Sequence, residues 1–170
     1  MKIIGAALCV FSCFVIGFYM GENIKIRYNS LIEIKKMISM IMGEIEYKRN
    51  SISEAFYFVA KKMDEPYKSF LMELYNKTLN TEGVFEEIWI CSVKKHLSKH
   101  KLTEKDFEYL DILGKNIGYL GIDMQISNFQ NYIRNTQEEI EKIKGEMDKS
   151  IKLYRTLGLM AGIAISIILI

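Results

Sequence analysis

The distribution of charge constrains this chain more than any other feature. No side chain between residues 3 and 20 is charged, and none between 157 and 170. Every acidic residue, and every basic one except Lys2, lies from Glu22 to Arg155. A chain of 170 residues has room for one modest domain with appendages. The pattern therefore predicts three parts: 1–21, 22–155 and 156–170, with a hydrophilic middle long enough to bury a helical core. That middle is nearly neutral. Near-neutrality excludes nucleic acid as the main partner, because phosphate neutralisation needs a clustered basic surplus.

The first uncharged run has the length of a membrane helix, about 27 Å at 1.5 Å per residue. A cleaved signal peptide is the competing reading. Only Lys2 precedes the run, however, and Phe18-Tyr19-Met20-Gly21 contains no small-x-small cleavage pattern. The second run reaches only about 21 Å, short of a hydrocarbon core of about 30 Å, and its length also suits a buried core helix. It is apolar on all sides, and Ala161, Gly162, Ala164 and Ser166 supply the small residues that let helices approach in lipid. Lys149, Lys152 and Arg155 can extend its reach by snorkelling. Both runs are expected to be membrane helices.

Basic residues cluster on the inner flanks: Lys25, Arg27, Lys35 and Lys36 after the first run, and Lys149, Lys152 and Arg155 before the second. The positive-inside rule places the middle in the cytosol. Three cysteines, with Cys9 and Cys13 in the first run and Cys91 alone in the middle, suit free thiols in a reducing compartment.

The middle reads as helices throughout. Ile34, Met37, Ile38, Ile41 and Ile45 form a stripe at three- and four-residue spacing. Ser51-Ile-Ser-Glu54 is a capping box that opens a helix through Ala55, Phe56, Val59, Ala60 and Met63. Pro66 suits the first turn of the next helix, with Phe70, Leu71, Leu74 and Tyr75 as its buried face. After a turn at 80–83, Phe85, Ile88, Trp89 and Val93 make another stripe. Thr103-Glu-Lys-Asp106 caps a helix carrying Phe107, Leu110 and Leu113. Last comes a heptad-like seam of Ile122, Ile126, Phe129, Ile133, Thr136, Ile140, Ile143, Met147 and Ile151. The expected fold is all-α: an antiparallel helical bundle between two terminal membrane helices, its first and last helices continuing into them.

No constellation for catalysis stands out. His96 and His100 are one turn apart, but no third ligand completes a metal pattern, and Lys94, Lys95, Lys99 and Lys101 surround them, which predicts a solvated basic face. The glycines at 114, 118 and 121 follow no strand and match neither nucleotide fingerprint. Cys91 and His96 lack an orienting carboxylate. Glu44, Glu46 and Glu54 are ordinary helix-surface and capping glutamates. The expectation is a protein that is not an enzyme and takes no metal or cofactor.

One assembled pattern is specific. It comprises Gly43-Glu44-Ile45-Glu46-Tyr47, four residues to Ile52, then Ser53-Glu54-Ala55; a mid-chain Trp89; Leu113-Gly114-x-x-Ile117-Gly118; and a terminal Leu157-Gly158 apolar tail. The chain resembles the stage III sporulation protein AB family of endospore-forming bacteria over essentially its whole length. It departs from the pattern after Gly118, where Tyr119, Leu120, Gly121 and Ile122 intervene before an acidic residue. The resemblance implies a component of the channel between mother cell and forespore, in the outer forespore membrane. Its head would be similar to the cytosolic domain of the type II secretion platform protein. The implied partners are a channel ATPase on the mother-cell side and other channel subunits, with the chain forming an oligomer. Interaction candidates by family position are Glu44, Tyr47 and Glu54, with Trp89, Gly114 and Gly118 as the other marked positions. A membrane-tethered sensor or signalling adaptor, passing change through the long last helix, is the alternative from a different class.

Overall fold

The computed structural model describes residues 2–80, 84–117 and 121–169, with side chains from 11 onward except at 14, 159, 163, 166, 168 and 169. The chain is all-helical, with no strand among the described residues. Six α-helices follow in order: α1 (Lys2–Glu46), α2 (Ile52–Ala60), α3 (Tyr67–Leu79), α4 (Phe85–Leu97), α5 (Glu104–Ile117) and α6 (Ile122–Leu169). A single 3-10 turn, Ser98–His100, follows α4. The expected continuity at both ends is present: α1 runs for 45 residues and α6 for 48 without a break.

Local sequence accounts for the helix starts. At α2, the Ser51 hydroxyl accepts from the Glu54 amide at 3.3 Å while the Glu54 carboxylate accepts from the Ser51 amide at 2.9 Å, closing the capping box. Thr103 and Asp106 repeat the arrangement at α5, with backbone-to-side-chain bonds of 2.8 and 3.3 Å. Pro66 sits one residue outside the expected place, at the N-cap of α3, so Tyr67 is the first helical residue.

The contacts divide the chain into two compact units, Ser30–Glu139 and a pairing of Met1–Asn29 with Ile140–Ile170. In the first unit, α2, α3, α4 and α5 pack in sequence order. The stripe from Ile34 to Ile45 is buried as expected, together with Phe56, Val59, Phe70, Leu71, Leu74, Trp89, Leu110 and Phe129. Four expected core residues, Tyr75, Phe85, Ile88 and Phe107, are only half-buried at the margin. The seam of α6 departs from expectation at its start: Ile122 is exposed, because the helix begins there and its first turn has no facing element, while Tyr132 is buried beside the seam. One buried polar atom in this core has no hydrogen-bond partner, the Ser92 hydroxyl in α4. Replacing Ser92 by Ala removes that desolvation cost and raises helix propensity, so a stabilisation of about 1 kcal/mol is expected. A lowered urea midpoint would contradict it.

In the second unit, α1 meets α6 at a glycine pair. A Cβ on Gly17 would fall 2.5 Å from the Tyr154 carbonyl oxygen, and one on Gly158 would fall 2.7 Å from that of Cys13. Both obstacles are backbone, so neither can swing aside. Gly21 lies against Ile151 in the next turn, and the Arg155 guanidinium stacks over Phe18 at 4.8 Å. The two glycines permit a backbone approach that any side chain would block. Gly17→Leu should push the two helices apart by about 1–2 Å or more. Spin labels at Met20 and Leu157 read this directly, and an unchanged distance would refute the close approach.

Among the described residues, no helix is long and apolar enough to cross a membrane. The two expected spans, 3–20 and 157–170, fall partly on residues whose side chains lie outside those described.

Candidate interaction surface

The glutamate of the most specific sequence stretch proves to be a turn clamp. Glu44 is 4% exposed, near the end of α1. Its Oε1 accepts from Lys48 at 2.9 Å and Lys62 at 3.1 Å, and its Oε2 accepts from Asn50 at 3.0 Å. Its backbone carbonyl accepts from the Asn50 amide at 3.2 Å. The hydrogen bond from Lys48 outweighs burial and, with Lys62, holds the carboxyl below its ordinary range. Between these bonds the chain reverses through Arg49, whose φ of 56° is left-handed. One buried carboxylate thus ties the end of α1 to α2.

The same turn exposes a neighbouring side chain. Tyr47 is 80% exposed, the most exposed large hydrophobic residue among those described. Across the turn, Phe58 is 40% exposed, with the Lys48 ammonium 5.9 Å from its ring centre. Tyr57 packs edge-on to Phe58 at 5.6 Å and against Tyr75 of α3 at 5.0 Å, with Lys61 over its face at 4.1 Å. This interleaving of aromatic rings and lysines on α1, α2 and α3 was not evident from sequence, since Phe58 and Lys61 lie off every predicted stripe.

The other expected candidates sort into distinct places. Glu54 is exposed but engaged in its capping box. Trp89 is fully buried: its Nε1–H donates to the Leu110 carbonyl at 2.8 Å, and its indole packs against Phe56, Phe70 and Phe85. Gly114 lies directly beneath that ring, where a Cβ would overlap it. Trp89 and Gly114 are thus brought together, as a packing pair in the core rather than at a surface. Gly118 lies outside the described residues, as do residues 81–83 of the expected turn.

The two histidines diverge. His96 Nε2 lies 2.7 Å from Glu73 Oε2, while His100 Nδ1 lies 3.2 Å from the Ser30 hydroxyl, with its ring against Tyr67. Both are half-buried, which corrects the expectation of a solvated basic face. The break from α4 into the 3-10 turn removes the one-turn alignment that their spacing suggested. Burial holds the His100 imidazole below its ordinary pKa. No group of three His, Cys, Asp or Glu residues among those described could hold a metal ion.

Glu73 is the group that sequence reasoning missed. Its carboxylate gathers Lys77 at 2.8 Å, Lys95 at 2.7 Å and His96, joining α3 to α4. Only the Glu73–Lys77 pair, at i and i+4, was visible in the sequence.

Comparison with known proteins settles what kind of chain this is. The family model for stage III sporulation protein AB matches residues 2–170. The chain belongs to the stage III sporulation protein AB family. Among solved structures, one described as stage III sporulation protein AB (SpoIIIAB) shares the fold at a TM-score of 0.64 and 15% identity, covering 72% of this chain and 96% of that one. No curated protein matches the chain. Membership implies a role in sporulation. Within this sporulation family, the conserved-looking Glu-Ile-Glu-Tyr stretch has a divided task here: Glu44 and Ile45 hold the fold, and Tyr47 faces outward.

Proposed function

We propose that this chain is a non-enzymatic, membrane-anchored platform of the secretion-like channel between mother cell and forespore, coupled to a partner ATPase. The observation that carries the proposal is the family match over residues 2–170, taken with the charge-free stretches that enter α1 and α6. The uncharged ends, 1–21 and 156–170, form a hairpin in the outer forespore membrane. Residues 22–155 lie in the mother-cell cytosol, beside the ATPase and other channel subunits. The close approach at Gly17 and Gly158 suits two helices paired in lipid, where van der Waals contact rather than the hydrophobic effect holds them together. A platform of this kind transmits work done elsewhere and needs no catalytic group of its own.

The test combines topology with partnership. Cysteine accessibility in intact sporulating cells should find residue 91 reachable only from the mother-cell cytosol. The full chain, solubilised in detergent, should co-purify with the channel ATPase, and deletion should block spore formation after engulfment. Vegetative expression and normal spores on deletion would instead favour a signalling adaptor.

A further inference from the structure

We infer that the aromatic–lysine surface around Tyr47 and Phe58 docks an acidic segment of a partner protein that also carries an apolar side chain. The inference rests on the reading of the chain as part of an assembly, and adds where a partner binds and what chemistry it presents. Three observations lead to it.

First, the surface has the composition of a binding hot spot. Tyr47 at 80% and Phe58 at 40% exposure stand beside the half-buried Tyr57 and Tyr75, whereas large aromatic rings normally bury most of their area. Second, its charge is one-sided. Lys48, Arg49, Lys61 and Lys62 surround the rings, and the two nearby carboxylates are already committed, Glu44 to the turn and Glu54 to its capping box. A carboxylate set between Lys48 and Lys61 would meet two cations whose alkyl stems already cover the rings. Third, the surface is held in place before anything binds. Glu44 fastens the reversal that presents Tyr47, so little conformational freedom is lost on docking.

The partner chemistry follows: Asp or Glu side chains to pair with the lysines, and an aliphatic or aromatic side chain to lie on Phe58 and Tyr47. Glu44 and Glu54 belong to the supporting frame. The docking residues are Tyr47, Phe58, Lys48 and Lys61.

The experiment places a benzophenone-bearing amino acid at position 58 of the full chain, in its own membrane, in sporulating cells. Illumination should yield a cross-link to a protein, with the attachment point within a few residues of an acidic cluster. The double reversal Lys48→Glu, Lys61→Glu should reduce the yield about tenfold or more, as expected for loss of desolvated charge pairs. Tyr47→Ala should reduce it several-fold while leaving the melting temperature within a few degrees, since so exposed a ring contributes little to folding. Attachment to phospholipid, attachment to a basic segment, no cross-link, or a yield unchanged by the double reversal would each overturn the inference. If the mapped partner is acidic but is not the ATPase, this surface stands and the proposed ATPase coupling must be revised. If the ATPase co-purifies while position 58 captures nothing, the reverse holds.

Discussion

Gly114→Ala is expected to destabilise the chain by about 2 kcal/mol, although alanine is the better helix former by about 1 kcal/mol. The added methyl group falls on Cδ1, Cγ and Nε1 of Trp89. The indole has nowhere to go. Phe56, Phe70 and Phe85 flank it, and its Nε1–H is held by the Leu110 carbonyl one turn before Gly114. Swinging the ring aside breaks that hydrogen bond in a dry core; keeping it in place strains the α4–α5 contact. The decisive measurement is a double-mutant cycle with Trp89→Phe, followed by circular dichroism because Trp89 is the sole tryptophan. Phenylalanine has no pyrrole ring and leaves room for the methyl group. Trp89→Phe alone should cost about 2 kcal/mol, and Gly114→Ala in that background should cost less than about 0.5 kcal/mol or become favourable. Equal cost in both backgrounds would mean that the glycine is required for some other reason.

Glu73 should contribute about 1–2 kcal/mol at neutral pH through its junction between α3 and α4. Burial by itself would raise its pKa. Hydrogen bonds from Lys77, Lys95 and His96 overcome that and lower it from 4.5 to about 2. A shift of that size corresponds to about 3 kcal/mol. Lys95 is 61% exposed, however, so solvent screens part of the attraction, and the smaller figure is expected. The sign follows from the direction of the shift. With the folded pKa below the unfolded one, the contribution is complete above about pH 4.5 and is lost as pH falls towards 2. Glu73→Gln should lower the urea midpoint at pH 7. Its stability should then fall less steeply than that of the unaltered chain between about pH 4.5 and 2. Comparing the two curves removes the contributions of Glu44, Glu54 and Glu65, whose carboxyls are also held low. Parallel curves would show that the junction carries no pH-dependent stability.

The elements that were legible in the sequence share one property: their causes are local. The Ser51–Glu54 and Thr103–Asp106 boxes involve residues three apart, so chain order alone brings donor and acceptor together. The stripe from Ile34 to Ile45 and most of the α6 seam follow from the helical repeat, which puts residues three and four apart on one face whatever they pack against. Family membership was legible for a related reason, since a spaced pattern of residues is itself a property of order.

What remained hidden depends on which helix lies opposite. Glu73 finds Lys95 and His96 across 22 and 23 residues, and no periodicity within α3 predicts which α4 side chains it faces. Glu44, which reads as a surface glutamate, is buried because Lys62 approaches from beyond α2. His96 and His100 look paired in sequence and part because a 3-10 turn intervenes. Gly114 reads as a helix terminator, yet it lies inside α5, with the Trp89 indole occupying the space a side chain would need. The sequence by itself determined the helices, their caps and the segregation of charge to the middle, because these arise from neighbours within about one turn. Only the tertiary structure decided which polar groups became internal clamps and which aromatic rings were left facing water, because burial is conferred by residues distant in the chain.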